Sequence, residues 1–79
     1  MASKREVEKF AEHLQYIFDL GDFKVTKESG GVYEMYFYDS WQATRSVGFE
    51  SELKYNCDSY GFELYYYDEQ GNDYYIAVK

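Results

Sequence analysis

The chain has 79 residues, 23% of them aromatic, and a formal net charge of −7 at pH 7. This length predicts a single domain over residues 1–79. The only cysteine, Cys57, excludes an internal disulfide and favours a reducing, cytoplasmic location. No apolar run approaches the ~20 residues of a membrane-spanning helix, and the charged start shows no signal peptide, so we expect no membrane association.

The negative charge is concentrated in the second part of the chain. Residues 1–30 hold five basic and six acidic side chains, whereas residues 31–79 hold three basic and nine acidic ones. A surface of that sign repels phosphate backbones and anionic lipid, and it attracts basic proteins. The same charge also keeps a small domain in solution, so simple solubilisation is the alternative interpretation.

The N-terminal segment has the pattern of an amphipathic helix over residues 3–20. Its apolar side chains recur at helical spacing from Val7 to Phe18. Ser3 and Glu6 fit a capping box at the start of this helix. Gly21 stands where a left-handed C-terminal cap is expected.

Beyond Phe23 the apolar period changes to two, which predicts antiparallel strands. The predicted strands cover residues 23–28, 32–38, 41–49, 60–67 and 74–78, with a connecting loop at 68–73. Residues 52–57 fit either a short strand or an irregular connection. The predicted fold class is α+β, with the N-terminal helix packed on one face of a four- or five-stranded antiparallel sheet in a two-layer sandwich.

Strand parity divides the side chains between the two faces of this sheet. The face toward the helix is expected to carry Phe23, Val25, Tyr33, Met35, Phe37, Trp41, Ala43, Val47, Phe49, Phe62, Leu64, Tyr66, Tyr74, Ile76 and Val78. The opposite face is expected to carry Glu34, Tyr36, Tyr38, Thr44, Ser46, Glu63, Tyr65, Tyr67 and Tyr75. A face that should be polar therefore holds five tyrosines among carboxylates.

The chemistry-bearing residues do not form a recognisable catalytic or metal site. His13 is the only histidine and Cys57 the only thiol, so we predict that the chain is not an enzyme and uses no cofactor. The acidic loop at 68–73 lacks the ligand spacing of a calcium-binding loop, so no metal is expected. RNA-binding sheets surround exposed aromatic rings with Lys and Arg, whereas the neighbours of the tyrosines here are Glu and Asp. We therefore expect no direct nucleic-acid binding.

Protein recognition is the function that the tyrosine-rich face favours. Tyrosine offers a large, rigid contact area, and neighbouring acids attract Arg and Lys on a partner. The alternative is that cross-strand tyrosine packing only stiffens the sheet. The predicted partner-binding residues are Glu34, Tyr36, Tyr38, Glu63, Tyr65, Tyr67, Asp68, Glu69, Asp73 and Tyr75.

In size, charge and lack of a catalytic set, the chain resembles phage-encoded anti-restriction and anti-CRISPR proteins, some of which present carboxylates where DNA phosphates would lie. The resemblance is to a class and rests on no shared motif, so no residue role follows from it. It implies an acidic inhibitor, or DNA mimic, that occupies the cationic site of a nuclease or a similar basic effector. An immunity protein or antitoxin, and an adaptor or homodimeric assembly subunit, are the alternative hypotheses.

Overall fold

The computed structural model describes residues 3–40 and 47–79. Along them the elements are α1 (Lys4–Ile17), β1 (Phe23–Ser29), β2 (Val32–Tyr38), α2 (Phe49–Ser59), β3 (Leu64–Gln70) and β4 (Asp73–Val78). The strands form an antiparallel sheet in the order β1-β2-β4-β3, so β1 and β3 are its edges. The buried residues of both helices share one core with one face of this sheet. The predicted α+β class is confirmed, with a second short helix added.

Helix α1 begins at its predicted cap but ends at Ile17 instead of residue 20. The Ser3 hydroxyl accepts from the Glu6 N–H, and the Glu6 carboxylate accepts from the Ser3 N–H, each at 3.3 Å. The left-handed residue after the helix is Asp19 (φ 52°), not Gly21. Gly21 instead allows a close approach, because its N–H donates to the Tyr38 carbonyl at 2.6 Å and a Cβ would lie 3.1 Å from that oxygen.

Two short turns connect the hairpins of the sheet. Gly30 and Gly31 join β1 to β2 with φ values of 60° and 83°, a pair of positive angles that fits a type I′ turn. Gly71 and Asn72 join β3 to β4. The predicted loop at 68–73 is therefore too long, since β3 continues to Gln70.

The strand predicted over residues 41–49 is wrong where the structure describes it. Residues 41–46, including Trp41 and Ala43, lie outside the described residues. Val47, predicted to face the core, is fully exposed in a turn, and Phe49 begins α2. Residues 52–57 are helical, so both interpretations of that segment were incorrect.

The strand predicted from residue 60 begins only at Leu64, because Tyr60 is the C-cap of α2. Within β3, Leu64 pairs with Val78 and Tyr66 pairs with Ala77, so the ladder skips Tyr65 in a β-bulge. The parity of the strand is inverted beyond this point. A similar irregularity interrupts β1, where Val25 pairs with Met35 and Lys27 with Glu34.

The core lies between the two helices and one face of the sheet. Its fully buried side chains include Val7, Phe10, Leu14, Met35, Phe37, Leu53, Ile76 and Val78. The rings of Phe10 and Phe62 lie 4.9 Å apart and those of Phe18 and Phe49 lie 4.6 Å apart. These contacts tie α1 to the segment before β3 and to the start of α2.

Truncating Phe10 to Ala should destabilise the domain by about 3–5 kcal/mol, because it leaves a cavity where a fully buried ring was. The loss is a large part of the stability of a small domain. Urea denaturation monitored by circular dichroism measures the change. Tyr16→Ala, at an 87% exposed position of the same helix, is the control and should stay within about 0.5 kcal/mol of the wild type. Equal stability of the two variants would contradict this packing.

Candidate protein-binding face

The face of the sheet opposite the helices, called here the outer face, is built on β2, β4 and β3. Three rows of cross-strand neighbours form its centre: Glu34–Ala77–Tyr66, Tyr36–Tyr75–Asp68 and Tyr38–Asp73–Gln70. Both helices pack on the other side of the sheet, so these rows face away from the core. The outer face is therefore the place where side chains can meet a partner without disturbing the core.

The carboxylate of Glu34 is held by hydrogen bonds from two neighbours. Its Oε1 accepts from the Thr26 hydroxyl at 2.9 Å, and its Oε2 accepts from the Tyr66 hydroxyl. Tyr66 reaches Glu34 from two strands away, and Ala77 lies between them in the same row. Ala77 is fully buried although it belongs to the outer face, because a small side chain there leaves room for the ring to pass over it.

Two further carboxylates of the outer face are also held in place. The Tyr36 hydroxyl donates to Asp73 Oδ1 at 2.6 Å, and the Gln70 side-chain amide donates to Asp68 Oδ2 at 2.9 Å. The rings of Tyr36 and Tyr75 lie 5.4 Å apart in the central row. Tyrosine and glutamine side chains thus fix the acids in orientation.

These hydrogen bonds shift the acidity of the tyrosines. The bond to Asp73, with partial burial and the nearby negative charge, raises the pKa of Tyr36 to about 12. The bond to Glu34 likewise raises the pKa of Tyr66, and burial and the charges of Glu34 and Asp68 add to it. Both hydroxyls are therefore protonated donors at neutral pH, and each is committed to a carboxylate.

Most of the predicted partner-binding residues come together on the outer face, and some do not. The residues that it brings together are Glu34, Tyr36, Tyr38, Asp68, Asp73 and Tyr75. Tyr65 is exposed at the β3 edge, with its ring 6.3 Å from that of Tyr66. Glu63 lies just before β3 and lines a depression of about 390 Å³ at the end of the sheet, near Glu6 and Tyr60.

Tyr67 and Glu69 lie on the helix side. This is contrary to the parity prediction for Tyr67, whereas Glu69 was predicted in the connecting loop. Tyr67 pairs with Ile76 and hydrogen-bonds Glu50 of α2, which raises the pKa of Tyr67. Glu69 pairs with the buried Tyr74. Tyr66, predicted to face the core, is the outer-face residue that sequence reasoning missed.

The outer face is polarised in charge, which the sequence did not indicate. Lys24 lies opposite Tyr36, and Lys27 lies opposite Glu34, so β1 adds basic side chains along one edge. The acids Glu34, Asp68 and Asp73 lie on the three other strands. The acidic part of this surface is therefore the β2–β4–β3 portion.

His13 and Cys57, the two residues considered for catalysis, both take part in packing. His13 Nε2 lies 2.9 Å from Asn56 Oδ1, and Asn56 Nδ2 donates to the Glu52 carbonyl. This arrangement makes His13 the donor and joins the two helices. Burial, with the charge of Asp58, raises the pKa of the Cys57 thiol to about 11, so it is not a thiolate at neutral pH.

Neither a metal site nor a membrane helix is found among residues 3–40 and 47–79. No group of three or more His, Cys, Asp or Glu side chains in these ranges could hold a metal ion. Within the same ranges, neither helix has the length and hydropathy needed to cross a membrane.

The chain matches no protein-family model, no curated protein and no solved structure. What the protein binds is therefore inferred from the surface of its described residues.

Replacing Asp73 with Asn should lower the pKa of Tyr36 from about 12 toward its ordinary value of 10.0, because the charged acceptor is lost. Ring-carbon NMR titration of labelled tyrosine measures it. Asp58→Asn, which removes an acid from α2, is the control and should leave this pKa unchanged. A value that stays near 12 in Asp73→Asn would show that Asp73 does not cause the shift.

The raised pKa also fixes the sign of a pH effect on stability. The Tyr36–Asp73 contact stabilises the fold fully below the unfolded pKa near 10, and this contribution is lost as pH rises through about 12. The stability difference between wild type and Tyr36→Phe should therefore shrink across that range.

Proposed function

We propose that this chain is a non-enzymatic binding protein whose outer face docks on a basic protein and inhibits it. The observation that supports the proposal is the set of three carboxylates, Glu34, Asp68 and Asp73, held by hydrogen bonds among tyrosines on an uncovered sheet face. Cross-strand stiffening alone does not require acids at these positions.

The held carboxylates suit recognition of Arg and Lys. Each ionised carboxylate has about four acceptor sites. Glu34 uses two of them for hydrogen bonds from neighbouring side chains, and Asp68 and Asp73 use one each. The remaining sites are open to Arg or Lys of a partner. Their side chains are already ordered, which reduces the conformational entropy lost on binding. The surrounding rings add contact area and cation–π attraction.

The partner we propose is a protein that handles nucleic acid. Such proteins carry a cationic surface for the phosphate backbone, and a surface with the opposite charge is attracted to the same place. Carboxylates bound there exclude phosphates by occupying their positions. A net charge of −7 steers the approach, and Lys24 and Lys27 direct the basic partner away from β1.

A second candidate function, a homodimer through the same face, is favoured by the charge polarity. A two-fold axis between two facing outer faces, parallel to the strands, would bring the lysines of β1 in one copy toward the acids of β3 and β4 in the other. Sedimentation velocity at low and moderate salt distinguishes the homodimer from a monomer that binds another protein. The homodimer should dissociate as salt rises, because its charge attraction is screened.

Immobilised chain should capture a basic nucleic-acid-binding protein from a host lysate and release it as salt rises. With the purified pair, the association rate should fall between about 0.01 and 0.15 M salt, because the screening length shortens from about 30 to 8 Å. The captured protein should also lose its binding to nucleic acid when this chain is added. A salt-independent association rate, or undisturbed nucleic-acid binding, would contradict the inhibitor proposal.

Two adjacent tyrosines provide a matched test of the binding face. Tyr66 and Tyr67 are 40% and 39% exposed, but they lie on opposite sides of the sheet. Tyr66→Ala should weaken partner binding by about 2 kcal/mol, whereas Tyr67→Ala should change it by only a few tenths. Isothermal titration calorimetry with the captured partner measures both.

The thermal melting of the two variants is recorded alongside their affinities. This comparison separates a lost contact from an unfolded domain. If Tyr67→Ala weakens binding and Tyr66→Ala does not, the partner meets the helix side of the molecule. That outcome would overturn the assignment of the outer face.

A further inference from the structure

Two adjoining depressions lie at α1 and α2 on the helix side of the molecule, and together they are called here the groove. One depression of about 470 Å³ is lined by Ile17, Glu52 and Tyr55, among others. A second, of about 360 Å³, is lined by Ile17, Glu52, Asp19 and Val47, among others. Ile17 and Glu52 border both depressions, so the two adjoin.

The groove presents apolar surface that the fold itself does not use. Val47 is fully exposed, Tyr55 is 71% exposed and Ile17 is 38% exposed. Phe18 and Phe49 also line the second depression, with their tilted rings 4.6 Å apart, and both belong to the core. Apolar surface of this kind between two helices is typical of sites that bind a third helix.

The charge of the groove selects a basic occupant. Asp19 and Glu52 line it, and among the described residues no Lys or Arg does. Acidic side chains beside an apolar floor complement an amphipathic helix whose polar face carries Lys or Arg. An acidic or neutral helix would gain no such attraction.

The groove is preformed and has a defined length. His13 and Asn56 both line the first depression, and the hydrogen bond between them, at 2.9 Å, joins the two helices there. The Asn56 side chain also donates to the Glu52 carbonyl, which orients it. Helix α2 has 11 residues, which corresponds to about 16 Å. A bound helix of about three turns would match this length.

We propose that this groove binds a basic amphipathic helix of a partner protein. The site is separate from the outer face, since the helices cover the other side of the sheet. The chain would then carry two protein-binding surfaces on opposite sides and could bridge two partners, or hold one large partner at two places. The proposal does not depend on the function assigned to the outer face.

The first experiment uses three stapled peptides of about twelve residues, since unstapled helices of this length are marginal in water. One carries leucines at helical spacing with lysines elsewhere. The second replaces each lysine with glutamate, and the third keeps the lysine composition but alternates the two residue types. The helical leucine–lysine peptide should shift the backbone amide NMR signals of residues 13–19 and 47–56.

The other two peptides should leave those signals in place. Equal binding of all three peptides, shifts confined to the outer face, or no shift at saturating peptide would each overturn the proposal. Because the amide map reports where the peptide binds, failure here leaves the test of the outer face unaffected.

Variants then examine the two chemical features of the groove. Val47→Asp places a negative charge on a fully exposed apolar position, so the variant should keep the fold. If charge alone drove binding, this variant would bind the leucine–lysine peptide more tightly than the wild type does. We expect instead a loss of about tenfold or more in Val47→Ala and Tyr55→Ala combined. Unchanged affinity in that double variant would exclude the apolar floor.

The charge variants are Asp19→Asn and Glu52→Gln. Asn suits position 19 because it tolerates the left-handed conformation found there. The double variant should bind the leucine–lysine peptide severalfold more weakly than the wild type at low salt, with a much smaller difference at high salt. Tyr38→Ala, on the outer face, is the matched control and should bind the peptide as the wild type does. Loss of peptide binding in Tyr38→Ala would show that the peptide binds the outer face and would overturn the proposal.

Discussion

Two helices cover one face of the sheet and leave the other in water, and this one-sided burial constrains the rest of the structure. The described part of this 79-residue chain has two short helices, and both pack on the same side of the sheet. The uncovered face must stay hydrated and still hold β2, β4 and β3 together. Tyrosine meets both needs, as Tyr66 shows: its ring covers Ala77, and its hydroxyl reaches the Glu34 carboxylate.

The parts of the fold with one clear apolar period were predictable from the sequence. Helix α1 and strands β1, β2 and β4 each show such a period, and their bounds differ from the prediction by a few residues. Helix α2 was missed because Phe49, Leu53 and Cys57 recur every four residues. That spacing marks one face of a helix, and it equally marks alternate positions on one face of a strand. Only the packing of this segment against α1 decides between them.

The site was predicted where the strands are regular and missed where a strand is interrupted. Tyr36 and Tyr75 belong to the central strands β2 and β4, and parity assigns both correctly. Tyr65, Tyr66 and Tyr67 are chemically identical neighbours, so no property of the side chains reveals which one the ladder skips. The bulge exchanges the sides of Tyr66 and Tyr67, and it arises from pairing with β4, which a local pattern does not contain.

The irregularities in β1 and β3 both lie in edge strands of the sheet. An edge strand exposes unpaired backbone groups, and a run of three tyrosines in β3 has a high tendency to add to the edge of another sheet. A bulge breaks the even spacing that a second sheet would need for continuous pairing. The protein can therefore keep an aromatic surface open to its surroundings while resisting the edge-to-edge stacking that leads to fibrils.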